Sequence, residues 1–235
     1  MRILGIETSS LVAGVAILTD DVITAEYNIN HKKTHSQTLM PMIEEILDMT
    51  EIRPDMLDAI AVSSGPGSFT GLRIGSASAK GIGLALSIPL IHVPTLEAMA
   101  YNLWGTDNYI CPIMDARRNQ VYTGLYHFEK NGKIITDIEQ SAISIDELLE
   151  KIESYDKDIV FVGDGIPVFK DTITQIGKST YRFAPAHMNR QRGAAVAMLG
   201  KEYLLDGKTE SAAEHVPDYL RLSQAERERR EKENA

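Results

Sequence analysis

The sequence predicts an α/β protein made of two consecutive halves, each with the element order βββαβαβα. The chain opens with three short segments rich in Ile, Val and Ala, which is the pattern of a three-stranded meander. The hydrophobic period then changes to that of helices alternating with short apolar strands. From about Asn108 a similar rhythm starts again, although no residue-level repeat links the two halves.

In the first half, the meander consists of RILGIETS, AGVAILTD and VITAEYNIN. A helix is expected at 34–50, because apolar residues recur there at helical spacing and Thr34 and Gln37 have the spacing of a capping box. Pro41 should kink this helix or loosen its first turns. LDAIAVSSG is typical of a strand covered on both faces, and residues 70–86 form the next helix. The strand PLIHV and the helix PTLEAMAYNLW complete this half.

The second half is expected to contain the strands YICPIMDA, QVYTGLYHFE and KIITDIEQSAIS, the helix IDELLEKIESY and the strand DIVFVGDG. Two further helices are expected near 167–177 and 190–206. The end of the chain, SQAERERREKENA, alternates acidic and basic residues with almost no apolar side chain, which indicates a solvated tail. We therefore expect three parts: residues 1–107 with the segment 207–222 packed on them, residues 108–206, and the tail 223–235.

Composition and charge exclude several classes of protein. The chain has 235 residues, of which 43% are hydrophobic and 24% charged, as in ordinary globular domains. Its net charge of -9 repels phosphate backbones, so we expect any RNA to be held by a partner. The one cysteine, Cys111, lies in an apolar strand and should be a buried structural thiol. With no signal peptide and no long apolar run, the chain is expected to be cytoplasmic and to contact no membrane.

The glycine-rich stretch SSGPGSFTGLRIGSASAKGIG, residues 63–83, joins an apolar strand to a helix. Its glycines do not have the offsets of a P-loop or of the dinucleotide fingerprint, although weak anion binding at Gly65 and Gly67 stays open. Gly71, Gly75 and Ala79 recur every four residues, and small side chains at this spacing let another backbone approach closely. We therefore predict that these glycines serve helix packing, within the chain or against a partner.

Other candidate sites are weaker. In IETSS, Glu7 to Ser10 end the first strand, and a turn formed by serines is as plausible there as a phosphate site. His31 and His35 straddle a helix start and should not share a helical face, so a metal pair is not expected. The other histidines, His92, His127, His187 and His215, are scattered in sequence with no cluster of cysteines or carboxylates beside them. DARRNQVY places Asp115, Arg117 and Arg118 after a strand, where they can form an ion pair across a turn or a corner that binds a carboxylate.

Several motifs together resemble one known family: LGIETSS, AVSSGPGSFTGLRIG, AKGIGLA, HVPTLEAMA, MDARRNQVY and PDYLR, in this order between residue 1 and about 221. They are similar to the bacterial TsaB family, formerly called YeaZ. The resemblance implies a duplicated actin-like (RNase H-like) fold. It also implies a non-catalytic paralogue of TsaD, the enzyme that transfers a threonylcarbamoyl group to the adenosine beside the anticodon of tRNAs reading codons that begin with A.

The resemblance further implies which chemistry is missing. TsaD carries two metal-binding histidines where Thr95 and Met99 stand here, and a looser alignment places its aspartate ligand near Gln191. Neither Thr95 nor Met99 suits an iron or zinc ion beside a hard substrate. We therefore expect no catalytic residue, no metal and no cofactor. Whether the GDG segment at 163–165 binds a nucleotide stays open.

By the same resemblance, the two helices 34–50 and 70–86 are expected to bind the matching helices of TsaD. In the absence of TsaD, the same face should support a homodimer, and TsaE and tRNA should be reached only through the TsaD complex. The expected interface residues are Leu39, Met42, Ile43, Ile46, Met49, Gly71, Leu72, Gly75, Ser78, Ala79 and Ile82. The alternatives are an actin-like small-molecule kinase, a glycoprotease-like peptidase, and a structural homodimer with an unrelated client.

Overall fold

A computed structural model describes residues 1–155, 157–176 and 180–221 of the chain, so the predicted tail 223–235 lies outside the described residues. The order βββαβαβα occurs twice within the described residues, as predicted. The elements of the first half are β1 (Arg2–Glu7), β2 (Val12–Thr19), β3 (Val22–Asn30), α1 (His35–Met49), β4 (Ala59–Ser63), α2 (Phe69–Leu86), β5 (Leu90–Val93) and α3 (Thr95–Tyr101). The elements of the second half are β6 (Tyr109–Asp115), β7 (Gln120–Phe128), β8 (Ile134–Ser144), α4 (Ile145–Ile152), β9 (Ile159–Val162), α5 (Ile166–Ile176), β10 (Tyr181–Phe183) and α6 (Gly193–Leu205).

Each half forms one five-stranded mixed sheet with the same topology. The first sheet has the order β3-β2-β1-β4-β5, and the second has the order β10-β9-β6-β7-β8. The meander strands pair antiparallel, whereas β1 pairs with β4, and β6 with β9, in parallel. The predicted order includes a strand at the position of β10, but the sequence analysis assigned no segment to it. This strand has only three residues and pairs in parallel with β9.

Helices cover both faces of each sheet. On β1, Leu4 and Ile6 point to the cluster that holds α1 and α2, while Ile3 points to the opposite face. That opposite face is covered by α6, although α6 follows the second half in the chain. In turn α3 packs on β6 and β7 of the second sheet. The division at 107 and 108 therefore separates the two sheets, but each half contributes one helix to the other sheet.

The segment after α6 returns to the first half. Glu210 exchanges two backbone hydrogen bonds with Leu90 on β5, at 2.9 and 3.0 Å. Ala212 is buried in the cluster of α1 and α2, and the Lys80 ammonium on α2 donates to the His215 carbonyl at 2.9 Å. Glu210, Ala212 and His215 of the predicted segment 207–222 thus contact the first half, whereas Arg221 donates to the Ala116 carbonyl of the second half. In the part of the chain that the structure describes, no helix is both long and apolar enough to cross a membrane.

The helices α1 and α2 have different hydrogen bonds at their N-termini. In α1 the expected capping box does not form, because the Thr34 hydroxyl donates to the Gln37 side-chain oxygen at 3.0 Å instead of accepting from a helix amide. Pro41 lies inside α1, which remains one helix from His35 to Met49. In α2 the Ser68 side chain caps the helix by accepting from the Gly71 amide at 3.3 Å.

Candidate functional site

The first glycines of α2 allow the helix to touch the end of β1. A Cβ atom at Gly71 would overlap the Thr8 carbonyl oxygen, and one at Gly75 would overlap the Thr8 hydroxyl. The Thr8 hydroxyl in turn donates to the Gly71 carbonyl at 2.9 Å. The prediction that these glycines serve close packing is confirmed, and we call this arrangement the Thr8 contact.

Several backbone amides of the glycine turn donate hydrogen bonds to acceptors within the chain. The Ser68 amide donates to the Ser9 carbonyl at 2.6 Å, and the Gly65 amide donates to the Thr95 hydroxyl at 3.2 Å. The Gly71 amide donates to the Ser68 side chain, so three amides of this turn already have acceptors within the chain. This turn therefore differs from a phosphate-binding loop, whose amides converge on the ligand.

The IETSS segment forms a turn closed by its own side chains. The Glu7 carboxylate accepts from both the amide and the hydroxyl of Ser9, at 2.6 and 2.5 Å. The Ser10 hydroxyl accepts from the Val12 amide at 3.1 Å. Glu7 is 1% exposed, and this burial raises its pKa to about 7 despite the two hydrogen bonds. The serines are thus turn-forming residues.

A cleft of about 630 Å³ lies between the two halves, next to these turns. Asp115 lies at its wall, where its carboxylate accepts from the Arg117 amide at 2.8 Å and from the Arg117 guanidinium at 3.1 Å. Of the two interpretations of DARRNQVY, the structure shows the ion pair across a turn. Arg221, near the end of the described chain, donates to the Ala116 carbonyl and closes one side of the cleft.

The GDG segment places Asp164 in this cleft. Burial raises the pKa of Asp164, and the nearby Asp115 acts in the same direction. The Gly163 amide donates to the Asn189 side chain at 2.7 Å, and the Gly165 amide donates to the Ile113 carbonyl at 3.0 Å. Both glycine amides are therefore bonded within the second half.

The positions aligned with the TsaD metal ligands are packed into the protein. Thr95 is fully buried with its hydroxyl on the Gly65 amide, and Met99 is 1% exposed within an apolar cluster. Gln191 is 2% exposed, and its side-chain nitrogen lies 3.4 Å from Asp164. Cys111 is buried as predicted, and burial raises its pKa to about 12.

The predicted interface residues differ in exposure. Met49 is 72% exposed, whereas Ser78 and Ile82 are partly buried. The remaining predicted interface residues are buried in the chain's own core: Leu39, Met42, Ile43, Ile46, Gly71, Leu72, Gly75 and Ala79. Their side chains are therefore not available at the surface, because helical spacing alone does not distinguish a core stripe from a stripe that faces a partner.

Other residues of the same two helices expose apolar side chains to solvent. Met40 on α1 is 48% exposed, and Leu84 on α2 is 64% exposed. A groove of about 500 Å³ lies between α1, α2 and the turn at 54–56, and its lining includes Met40 and Ile82. Gly81, on the exposed side of α2, has no atom within 4 Å of the position of an added Cβ, apart from its own helix. We call Met40, Met49, Gly81, Ile82 and Leu84 the α1–α2 surface.

The histidines are not all scattered, which corrects the sequence analysis. His92 and His215 lie beside Glu210, and the donor atoms of these residues are within 4.8 Å of one another. Sequence reasoning missed this cluster because His92 is more than a hundred residues away from Glu210 and His215 in the chain. His31 is exposed and precedes α1, whereas His35 is the first residue of α1 and contacts the Ser10 carbonyl at 2.8 Å.

Comparisons with known proteins identify the family. Residues 23–229 match the family model described as "TsaD: tRNA N6-adenosine threonylcarbamoyltransferase". Over nearly its whole length the chain is 38% identical to the tRNA threonylcarbamoyladenosine biosynthesis protein TsaB of Bacillus subtilis (strain 168), with 96% of each chain covered. The chain belongs to the TsaB family. The TsaB protein of Escherichia coli (strain K12) is 28% identical over 94% of this chain and 95% of its own.

A solved structure supports the fold. A Pseudomonas aeruginosa protein described as similar to peptidase YEAZ superposes with a TM-score of 0.82, at 22% identity, over 94% of this chain and 99% of its own. The duplicated actin-like α/β fold expected for a TsaB protein is therefore confirmed. As a TsaB-family member, the chain is a tRNA modification protein of threonylcarbamoyladenosine biosynthesis.

Proposed function

We propose that the chain is a non-catalytic accessory subunit that binds TsaD in the cytoplasm and supports its transfer of threonylcarbamoyl to tRNA. The observation that favours a non-catalytic role is the pair Thr95 and Met99. The Thr95 hydroxyl accepts a hydrogen bond from the Gly65 amide, and the Met99 side chain packs in an apolar cluster. Neither side chain is therefore arranged as a metal ligand. The internal bonds of the glycine turn and of Glu7 likewise favour a scaffold over a nucleotide site.

The α1–α2 surface is the proposed contact with TsaD. Met40, Met49 and Leu84 expose flexible or branched apolar side chains on α1 and α2, and Met40 lines the groove between these helices. Methionines adapt readily to a partner surface. Gly81 lets a partner helix approach closely, because it presents no side chain. In the absence of TsaD, we expect the same surface to pair two copies of the chain.

The charge of the chain indicates that tRNA is bound by the partner. A net charge of -9 gives unfavourable long-range interaction with a phosphate backbone. We therefore assign tRNA and TsaE binding to the assembled complex with TsaD, and we assign no direct tRNA contact to this chain.

Depletion tests the function in cells. When the chain is depleted while TsaD is retained, threonylcarbamoyladenosine in total tRNA should fall strongly, because TsaD lacks its supporting subunit. The measurement is mass spectrometry of nucleosides from digested tRNA, with immunodetection of TsaD as the control. An unchanged level of the modified nucleoside would refute the accessory role, and the purified chain would then be assayed for ATP hydrolysis as a kinase-like protein.

Surface variants test the proposed contact. Met49→Arg and Leu84→Arg place a charge on the α1–α2 surface, and each should weaken TsaD binding by about tenfold or more, since a desolvated charge opposes an apolar contact. Calorimetric titration with TsaD measures the affinity. Leu205→Arg is the matched control, because Leu205 is 67% exposed at the end of α6 on the opposite face of the sheet. Equal affinities for all three variants would place the contact elsewhere.

A further inference from the structure

A cluster of two histidines and one carboxylate lies where the C-terminal segment crosses β5. His92 is on β5, and Glu210 and His215 are on the segment. His215 is 1% exposed, while the side chains of His92 and Glu210 are 28% and 25% exposed. The cluster is therefore half-sheltered, with an open side toward solvent.

The backbone holds these residues in fixed positions. The two hydrogen bonds between Leu90 and Glu210 set the register of the segment on β5, so Glu210 lies beside His92, two residues further along the strand. The His215 amide donates to the Ser211 carbonyl at 3.2 Å, which closes a turn. The Lys80 ammonium donates to the His215 carbonyl and fixes this turn against α2.

The side-chain donors converge on one point. His215 Nδ1 lies 2.5 Å from Glu210 Oε1, and His92 Nδ1 lies 3.8 Å from the same oxygen. His215 Nε2 is buried and has no hydrogen-bond partner among the described residues, so Glu210 is the polar partner of that ring. Two imidazole nitrogens and a carboxylate oxygen thus face each other within 4.8 Å.

A second carboxylate orients the first histidine. His92 Nε2 lies 2.9 Å from Asp218 Oδ2, and an ionised carboxylate can only accept, so this nitrogen carries the proton. The lone pair of His92 then lies on Nδ1, on the side of Glu210. A carboxylate that accepts from the outer nitrogen of a histidine is the usual second layer around a metal-binding imidazole.

We propose that His92, Glu210 and His215 bind one Zn²⁺ ion, with Asp218 orienting His92 and water in the fourth position. Two histidines and one glutamate are an established zinc ligand set. Tetrahedral bonds of about 2.0–2.2 Å place ligand atoms roughly 3.3 Å apart, so moderate side-chain shifts would bring the three donors into range. The site is on β5 and the C-terminal segment, and does not include Thr95 or Met99.

A bound ion would fasten the C-terminal segment to the first half. The segment continues to Tyr219, whose ring lies 4.7 Å from that of Phe69 and whose hydroxyl accepts from Arg73 on α2 at 3.3 Å. It ends, within the described residues, at Arg221 on the wall of the cleft. The ion would therefore stabilise the protein and the cleft wall together.

The test uses the full chain without a histidine tag, stripped with EDTA and dialysed. Calorimetric titration with ZnCl₂ should show one equivalent bound, and elemental analysis should find one zinc per chain after gel filtration. At about a hundredfold excess of Zn²⁺ over Kd, Tm should rise by about 5 to 10 °C. Co²⁺ in place of Zn²⁺ should give the visible absorption of a tetrahedral site.

Three variants assign the ligands. His92→Gln should abolish the Co²⁺ spectrum and the zinc-induced shift of Tm, while its Tm in EDTA shows that it folds. Asp218→Asn should weaken binding by about 10- to 100-fold, because it removes only the orienting group. His187→Gln, at an exposed histidine outside the cluster, should bind as the unmodified chain does. The proposal fails if the unmodified chain retains no stoichiometric zinc, or if His92→Gln binds zinc equally well.

Discussion

The two ends of α2 use glycine for different purposes. At the first turns, Gly71 and Gly75 face Thr8 at the end of β1, and a Cβ at either position would overlap an atom of Thr8. Further along the same helix, a Cβ at Gly81 would meet nothing within 4 Å outside its own helix. The same residue type therefore permits a contact inside the chain at one end and leaves an open surface at the other.

This difference separates the glycines that the fold itself requires from the glycine that it does not. Glycine inside a helix costs about 1 kcal/mol relative to alanine. At Gly71 and Gly75 the Thr8 contact offsets that cost, since it brings α2 onto the sheet and includes the hydrogen bond from Thr8 to the Gly71 carbonyl. At Gly81 no contact within the described chain offsets it, which is why we assign Gly81 to the proposed TsaD contact.

The largest expected effect is at the Thr8 contact. Gly71→Ala should destabilise the chain by about 4 kcal/mol, because the added Cβ meets a backbone carbonyl that cannot move aside and the hydrogen bond from Thr8 is lost. Urea unfolding followed by circular dichroism measures the loss. A stability equal to that of the unmodified chain would show that α2 can move away from β1 without cost.

The spacing of these glycines is visible in the sequence, but the residue that they contact is not. Gly71 and Gly75 recur at helical spacing, which indicated a packing face, but Thr8 is far away in the chain and the contact depends on the sheet order. The family resemblance pointed to the two helices as an interface, but it did not separate their partner-facing residues from core residues such as Leu39 and Leu72, which are both buried. The apolar stripe of a core helix and that of a partner-facing helix have the same period.

Most of the fold followed from the sequence because its elements are locally encoded. The two meanders and the alternation of helix and strand are visible in the hydrophobic period. The exchange of α3 and α6 between sheets is a property of the tertiary arrangement, so no local pattern indicates it. The cluster of His92, Glu210 and His215 was missed likewise, since strand pairing between β5 and Glu210 brings its members together.

The second effect concerns the carboxyl group next to the Thr8 contact. Burial raises the pKa of Glu7 from 4.5 to about 7, so the folded state keeps this proton at pH values where the unfolded chain has lost it. The free energy of unfolding should therefore decrease as the pH rises from about 4.5 to 7. Relative to a pH below 4.5, the ionisation of Glu7 should lower the free energy of unfolding at pH 8 by an amount on the order of 3 kcal/mol.

Glu7→Gln isolates this contribution. The amide keeps an oxygen that can accept from Ser9 but does not ionise, so the variant should gain stability relative to the unmodified chain as the pH rises. Urea unfolding of both proteins at pH 5 and pH 8 gives the difference. Asp164 also has a raised pKa and titrates in both proteins, so its own contribution largely cancels. A difference that does not change with pH would mean that Glu7 ionises normally in the folded state.

The smallest expected change in the free energy of unfolding is at Gly81 on α2, and it is an increase instead of a decrease. Gly81→Ala should raise the free energy of unfolding by about 0.5 to 1 kcal/mol, because alanine favours the helix and its Cβ meets no other atom. Thermal unfolding of the isolated chain should show a Tm higher by about 1 to 4 °C. In the same protein the affinity for TsaD should fall severalfold, since the added methyl group separates the two helices.

Ala77→Gly is the matched control for this last variant, because Ala77 is also exposed on α2. It should lower stability by about 1 kcal/mol through helix propensity, without adding any atom to the surface. Stability and TsaD affinity should therefore change in opposite directions for Gly81→Ala, while Ala77→Gly should lower stability and leave the affinity largely unchanged. If Gly81→Ala raises stability and leaves TsaD binding intact, a partner helix does not approach closely at Gly81. The contact must then depend on the methionine and leucine side chains of the α1–α2 surface alone.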